Sequence, residues 1–231
     1  LNLCSNRITG FPYHIGDCVN LSYLDASTNS LAYFPSSFSA LSKLEYCNLE
    51  NNEIVTTPNC FNNLTSLRYL NVRVNAARVL HADMGNMCNL TSLDMSMNSI
   101  SSLPLELGML RSLQELKLHR NQIPTIPPEL GSCGLLQKLE LPHNALEGCI
   151  PDTIGLITSL VHLDISFNLV DELPRRIVGL QQVQCGVVFM WFLMILTRVF
   201  YLLCILFFLF YRRWCVFTCS SYCVYYWNSY L

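Results

Sequence analysis

An asparagine recurs through the first 180 residues at a nearly constant interval, and this interval constrains the fold more than any other feature. Successive asparagines lie 23 residues apart six times and 24 residues apart once. Each occupies the same place in the frame LxxLxLxxNxL, followed by xxLPxxL and xxL, as in residues 90–112. A register held over so many units indicates an array of stacked structural repeats. The eight positions are Asn6, Asn29, Asn52, Asn75, Asn98, Asn121, Asn144 and Asn168.

The LxxLxL part of each unit is short and alternates apolar with other side chains, which predicts one β-strand per repeat. Strands of successive repeats must pair in parallel, because each is followed by the same return segment. We therefore expect a parallel sheet of eight strands about 4.8 Å apart. The asparagine after each strand can satisfy turn backbone groups of its own and the adjoining repeat, so we interpret this column as a structural ladder.

The return segment predicts short helical turns on the other side of the array. Seven of the eight repeats carry a proline there, and His81 takes its place in the fourth. Apolar residues follow three and six positions later, a spacing that suits one turn of 3₁₀ or α-helix opened by proline. Because this side is wider than the strand side, we expect the array to curve with its sheet on the concave face.

Residues 1–180 resemble the leucine-rich repeat superfamily. The 23-residue unit LEYCNLENNEIVTTPNCFNNLTS is similar to those of intracellular Ras-group and Scribble-type scaffolds. The seventh unit, LEGCIPDTIGLITSL, instead resembles the LxGxIPxxIGxL unit of plant receptor-like proteins. The resemblance implies an α/β fold: an open leucine-rich repeat solenoid (horseshoe) with a concave parallel sheet and short helical or 3₁₀ turns on the convex side.

The chain divides into three parts. Residues 1–184 form the repeat domain, which we expect to be N-terminally truncated because Leu1 lies inside the strand half of a repeat. Residues 185–211 are apolar apart from Arg198 and long enough to span a bilayer. Residues 212–231 are a tail rich in cysteine and aromatic residues. Two interpretations of residues 185–231 stay open: a genuine membrane anchor, or an artefact of the gene model such as translated intron. Residues 212–231 are expected to be unstructured.

The sequence predicts a binding module with no enzyme activity. It contains no Gly-rich phosphate loop, GxSxG, HExxH or CxxC signature and suggests no cofactor or metal site. The net charge of −2 and pI near 6.2 argue against a nucleic-acid partner. Cys18, Cys47 and Cys133 replace apolar residues of the frame, which predicts that they are buried. The array is not flanked by a cysteine cluster like that of a disulfide-capped extracellular repeat domain, so a reducing compartment is favoured.

Specificity must come from the outward positions of the strands, because strand side chains alternate between faces. The third position carries tyrosine in three successive repeats, followed by an aspartate or asparagine at the fifth. We expect this tyrosine strip to bind a protein partner, together with a mixed basic patch two repeats further on. The candidate residues are Tyr23, Tyr46, Tyr69, Asp25, Asn48, Glu50, Arg73, Asp94, Lys117, His119, Arg120, Lys138 and His143.

These observations favour a protein-binding scaffold of intracellular signalling, in the cytoplasm, with membrane association only through residues 185–211. The alternative is a membrane-anchored receptor-like ectodomain. Occupied glycosylation sequons would favour the receptor, and free, reduced cysteines would favour the scaffold. The sequons begin at Asn20, Asn63 and Asn89.

Overall fold

The computed structural model describes residues 1–56 and 59–180. The expectations for residues 185–211 and 212–231 therefore lie outside the described residues. In the part of the chain that is described, no helix is long and apolar enough to cross a membrane.

From the second repeat onward, each repeat contributes a three-residue strand centred on the second apolar position of its frame, such as Leu24, and two return segments add further short strands. The strands are β1 (Tyr23–Asp25), β2 (Tyr46–Asn48), β3 (Tyr69–Asn71), β4 (Ser92–Asp94), β5 (Glu115–Lys117), β6 (Lys138–Glu140), β7 (Glu147–Cys149), β8 (His162–Asp164) and β9 (Leu169–Glu172). Seven of them form a parallel sheet in the order β1-β2-β3-β4-β5-β6-β8. The pairing joins equivalent positions of neighbouring repeats, such as Tyr23 with Tyr46. The register of the sheet is therefore the register of the sequence repeat.

The prediction of eight strands in this sheet was wrong by one. The first repeat pairs with β1 only through an isolated bridge between Asn2 and Asp25. Its backbone still follows the strand path, since the Leu3 amide donates to the Asp25 carbonyl at 2.6 Å.

A second, two-stranded parallel sheet joins β7 and β9, and the repeat pattern did not predict it. These strands lie directly before Pro151 and Pro174, and isolated bridges occupy the corresponding place in earlier repeats. The extra residue of the seventh repeat falls between Asn144 and Pro151, where Gly148 adopts a positive φ of 67°. The added length gives this return segment enough extended backbone to pair.

The turn side consists of 3₁₀ segments. They are η1 (Tyr13–Asp17), η2 (Ser36–Ala40), η3 (Asn59–Asn63), η4 (Ala82–Asn86), η5 (Leu105–Met109), η6 (Pro128–Ser132), η7 (Asp152–Leu156) and η8 (Arg175–Gly179). Where the structure describes the residue before a segment, it is an extended proline such as Pro104, or His81 before η4. The predicted architecture is confirmed: an open solenoid with a concave parallel sheet and short 3₁₀ turns on the convex side.

The core lies between the sheet and the 3₁₀ segments. Leu24, Leu70 and Leu116 from the strands are completely buried against residues such as Phe38 and Leu107 from the turns. Each repeat alone would leave this apolar face open, so stacking is what buries it.

The cysteines follow the frame only in part. Cys47 and Cys133 are buried, as predicted, whereas Cys18 is exposed. Cys18 directly follows η1, and its amide donates to the Ile15 carbonyl. The seven cysteines of the described residues are free thiols.

The asparagine column connects neighbouring repeats. Asn52 lies at 8% exposure and makes four hydrogen bonds: Oδ1 accepts from the Leu31 amide at 2.9 Å, and Nδ2 donates to the carbonyls of Ala26, Leu49 and Glu50 at 3.0, 3.0 and 3.3 Å. The side chain of Asn6 in the first repeat donates only within its own turn. The side chains of the other members both accept from and donate to backbone groups of the preceding repeat: Asn29, Asn75, Asn98, Asn121, Asn144 and Asn168.

Candidate functional site

The tyrosine strip, Tyr23, Tyr46 and Tyr69, is a continuous stack of rings on the sheet. The Tyr23 and Tyr46 ring centroids lie 4.5 Å apart with planes 8° from parallel, and those of Tyr46 and Tyr69 lie 4.5 Å apart at 3°. The stack forms because consecutive tyrosines occupy paired positions on strands at nearly the same spacing. Tyr23 is exposed, and Tyr46 and Tyr69 are half-buried. The strip thus offers ring edges, one open end and three hydroxyl groups to the concave surface.

Packing within the strip changes the acidity of its hydroxyl groups. Burial raises the pKa of Tyr46 from 10.0 to about 12, and the neighbouring Tyr69, Tyr23 and Asp25 add to the shift. Burial also raises the pKa of Tyr69, with a further contribution from the charge of Asp94. The hydroxyl groups of Tyr46 and Tyr69 consequently stay neutral at physiological pH and act as hydrogen-bonding groups.

The fifth-position residues beside the strip have a local structural role that the sequence did not reveal. Asp25 Oδ1 accepts a hydrogen bond from the Ser27 amide at 3.0 Å, and Asp94 Oδ1 accepts from the Ser96 amide at the same distance. Asn48 makes the equivalent bond with the Glu50 amide at 3.2 Å. One side-chain oxygen of each residue therefore closes a turn at the strand end. The second oxygen or the amide nitrogen is left for the surface.

Glu50 and Arg73 form an ion pair next to the strip. Arg73 Nη1 lies 3.0 Å from Glu50 Oε1, and Asn71 Nδ2 donates to Glu50 Oε2 at 3.2 Å. The Nη2 group of Arg73 also contacts Met97 Sδ at 3.6 Å. These two predicted binding residues therefore neutralise each other, and their side chains are held in place.

The lysines of the basic patch are also paired with acids. Lys117 Nζ lies 2.9 Å from Glu115 Oε2, and Lys138 Nζ lies 2.9 Å from Glu140 Oε1. Burial alone would lower the pKa of Lys117, but the hydrogen bond and charge of Glu115 raise it above its ordinary value. Each pair joins the third and fifth positions of one strand, which point to the same face. The surface here is a mosaic of both charges and not a basic patch.

The two histidines predicted in the basic patch have different surroundings. Burial lowers the pKa of His119, so it is mostly neutral at pH 7. His143 is exposed and stacks on Phe167, with ring centroids 4.1 Å apart and planes 5° from parallel. His143 and Arg120 stand immediately before ladder asparagines, and both have positive φ, of 55° and 54°. The spacing of His143 and Phe167 by one repeat is the sequence signal that could have predicted their contact.

The outward surface thus differs along the sheet. It is aromatic on β1 to β3, with acidic neighbours as far as β4. On β5 and β6 the charged side chains form ion pairs, and His162 of β8 lies 3.5 Å from Glu140. In the described part of the chain, no group of three or more acidic, histidine or cysteine side chains is arranged to hold a metal ion. This geometry suits recognition of another molecule through a broad surface.

Comparisons with known proteins agree with the fold. The sequence matches the family described as "Leucine rich repeat" over residues 33–76 and 88–146. No curated protein matches. Among solved structures, the chain is similar to a leucine-rich repeat protein of Leptospira interrogans, with 28% identity and a TM-score of 0.75 over 79% of this chain and 46% of that one.

Plant receptors are also among the similar structures. The ectodomain of the membrane receptor kinase GASSHO1/SCHENGEN3 from Arabidopsis thaliana, in complex with Casparian strip integrity factor 2, has 31% identity and a TM-score of 0.72 over 79% of this chain and 23% of that one. The plant peptide hormone receptor RGFR1 in complex with RGF2 has 32% identity and a TM-score of 0.71 over 79% and 30%. The chain thus spans 23% to 46% of the length of these three proteins. With its repeat frame, its solenoid and these matches, the chain belongs to the leucine-rich repeat superfamily, whose domains are typically modules for protein–protein interaction.

Proposed function

We propose that this chain is a scaffold module of intracellular signalling that binds a protein partner on the concave sheet, through the tyrosine strip. The observation that carries the proposal is the unbroken stack of Tyr23, Tyr46 and Tyr69 on an exposed sheet face. Large, rigid side chains with a polar tip supply contact area at a low entropic cost, and tyrosine is enriched among the residues that dominate binding energy.

The neighbouring residues support this role. Glu50 and Arg73 are held by each other beside the strip, so they present fixed polar groups to a partner. Asn48 keeps its Nδ2 group available, because the turn uses only its Oδ1. An aromatic centre with polar groups around it is the arrangement of many protein interfaces.

A double substitution tests the proposal. The full-length chain and its Tyr46→Ala, Tyr69→Ala variant are tagged, expressed in the same cells and captured, and the co-purified proteins are quantified. We expect at least one specifically captured protein to fall about tenfold or more with the variant, since two central aromatic contacts are lost. Circular dichroism should be unchanged.

The chain offers a matched control. Tyr13 and Tyr33 are also exposed tyrosines, at 67% and 70%, but they lie on the return segments and not on β1 to β8. The Tyr13→Ala, Tyr33→Ala variant should capture the partner as the wild type does. A partner that is retained equally by both double variants would reject the tyrosine strip as its binding surface.

The second candidate function is the receptor-like ectodomain, which the similarity to peptide-binding plant receptors favours. The sequon residues Asn20, Asn63 and Asn89 are all exposed, so a glycosyltransferase could reach them. Treatment with an N-glycosidase decides between the candidates. A mass loss at these residues favours the receptor, and unmodified sequons with seven reduced cysteines in the repeats favour the scaffold.

A further inference from the structure

The charges around the tyrosine strip indicate the chemistry of its partner. On the outward positions of the first five repeats, the charged residues are Asp25, Glu50, Arg73 and Asp94. Glu50 is paired with Arg73, whereas neither Asp25 nor Asp94 has a salt bridge to any described residue. Three carboxylates and one guanidinium leave an excess of two negative charges beside the rings. Lys117 on β5 lies next to Asp94, but it is paired with Glu115 at 2.9 Å, so the excess of two negative charges is unchanged. This surface is electrostatically complementary to a cationic occupant.

The aromatic stack ends next to a small residue. Ser92 on β4 is paired with Tyr69 and takes the fourth place in the column, where the first three places hold rings. Because the rings of Tyr46 and Tyr69 are parallel, the second face of Tyr69 points along the sheet towards the space above Ser92. A planar group lying there would continue the stack at the same spacing.

Asp94 stands beside this space. It is two residues after Ser92, on the same face of the sheet, and its charge acts on the Tyr69 hydroxyl. Its Oδ1 is engaged by the amide and hydroxyl groups of Ser96. Its Oδ2 has no hydrogen bond to any described residue, so it is available to a partner.

We propose that the tyrosine strip receives a basic segment of the protein partner, and that an arginine of this segment lies flat on Tyr69 above Ser92 and pairs with Asp94. The inference rests on the proposed function and adds the partner's chemistry to it. A guanidinium is planar, stacks on aromatic faces and pairs with carboxylates through directed hydrogen bonds. A lysine ammonium would gain the charge contact without the stacking.

The charges can be removed without disturbing the turns. Asn48 and Asn71 make the same turn bond that Asp25 and Asp94 make, with the amides of Glu50 and Arg73 at 3.2 and 2.9 Å. The Asp25→Asn, Asp94→Asn variant therefore keeps the local structure and loses two negative charges. Asp164→Asn is the matched control, because Asp164 makes this bond with the Ser166 amide at 2.9 Å on β8, away from the strip.

The test uses the full chain in a non-ionic detergent and short synthetic peptides with a neutral dye, Gly-Arg-Gly-Arg-Gly and its lysine, citrulline and glutamate counterparts. Fluorescence anisotropy at low salt gives each Kd. We expect the arginine peptide to bind most tightly, the lysine peptide several-fold more weakly, and the other two at least about tenfold more weakly. The Asp25→Asn, Asp94→Asn variant should raise the Kd of the arginine peptide about tenfold, and Asp164→Asn should leave it unchanged.

A second variant tests the position of the arginine. Ser92→Tyr completes the column and covers the open face of Tyr69, so it should abolish the preference for arginine over lysine. Equal binding of citrulline and arginine peptides, or equal effects of the Asp164 and Asp25/Asp94 variants, would overturn the inference. If the tyrosine variant loses a captured protein while the Asp25→Asn, Asp94→Asn variant keeps it, the proposed function stands and the basic segment alone is rejected.

Discussion

Strands β1 to β3 and strands β5, β6 and β8 have the same framework and opposite surfaces. In the first region the third-position side chains are tyrosines that stack on one another across strands. In the second region they are charged or histidine side chains that bond along their own strand or to the next, as Lys138 and His162 both do with Glu140. The comparison shows that a repeat array can change its surface chemistry completely while its core residues keep their places.

The strongest test of this comparison concerns the shared framework. Asn52 lies beneath the aromatic region and Asn121 beneath the charged region, both at 8% exposure. Each bonds one amide and three carbonyl groups. We expect Asn52→Ala and Asn121→Ala each to lower the free energy of unfolding by about 2–4 kcal/mol, because buried backbone groups lose their partners.

Chemical denaturation in a neutral detergent measures both losses. Asn6→Ala is the control, since the Asn6 side chain is exposed and bonds only within its own turn; it should cost less than about 1 kcal/mol. If the two substitutions lower the free energy of unfolding by amounts that differ by more than about 1.5 kcal/mol, Asn52 and Asn121 do not have the same role in a common framework.

The next largest effect is expected on the turn side, where η5 and η6 approach closely. A Cβ atom added at Gly108 would lie 2.3 Å from the Glu129 carbonyl oxygen, whereas one added at Gly134 meets nothing within 4 Å. Gly108→Ala should therefore cost about 1–3 kcal/mol, because two repeats would have to separate. Gly134→Ala should be neutral in the same denaturation experiment, and equal effects of the two would contradict this packing.

The surfaces themselves should differ in how much they stabilise the fold. Tyr46 contacts a ring on each side, and aromatic pairs contribute about 0.5–1.5 kcal/mol beyond their burial. Tyr46→Ala should thus cost about 1–3 kcal/mol. Tyr13→Ala, at an exposed turn position, serves as the control and should cost less than about 0.5 kcal/mol. A negligible loss at Tyr46 would show that the stack does not stabilise the sheet.

The acidity of Tyr46 gives a pH signature of the aromatic region alone. Its pKa near 12 in the folded chain exceeds the 10.0 of an ordinary tyrosine. Between these values the unfolded chain loses a proton that the folded chain keeps, so stability falls as the pH rises from 10 to 12. Phenolate absorbance of the wild type minus that of Tyr46→Phe should show a midpoint near pH 12; a midpoint near 10 would contradict the burial of this hydroxyl.

The smallest effect is expected in the charged region. Lys138 and Glu140 are both partly exposed, and surface ion pairs contribute about 0–1 kcal/mol. Lys138→Gln should lower stability by less than about 1 kcal/mol, and the difference should shrink at high salt because the charges are screened. The loss at Tyr46, by contrast, should persist at high salt. A salt-dependent loss in both regions would remove the distinction between them.

Much of the framework could be predicted because the sequence repeat is also the spatial repeat. Residues 23 positions apart are paired across β1 to β6, so the adjacency of Tyr23, Tyr46 and Tyr69 follows from counting. The second sheet of β7 and β9 could not be predicted in this way. It depends on how an extra residue and Gly148 direct the return segment, and no residue of the frame specifies that path.

The candidate surface was predictable in its residues and less so in its charges. Lys117, Lys138 and their neighbours occupy outward positions, which led to the expectation of a basic patch. The structure pairs both lysines with glutamates of their own strands. Which of several nearby carboxylates each lysine pairs with depends on side-chain rotamers and on distances of a few ångströms. The sequence pattern does not specify either.

By itself, the sequence determined the repeat register, the parallel pairing of the strands, the buried leucine positions and the set of side chains that face outward. Strand alternation and a constant repeat length are sufficient for these conclusions. Only the tertiary structure decided that Asp25 and Asp94 use one oxygen for a turn and leave the other available, and that the column of rings ends beside Ser92. The physical reason is that the position of a side chain follows from its backbone, whereas its hydrogen bonds and ring orientation follow from the neighbours that stacking brings to it.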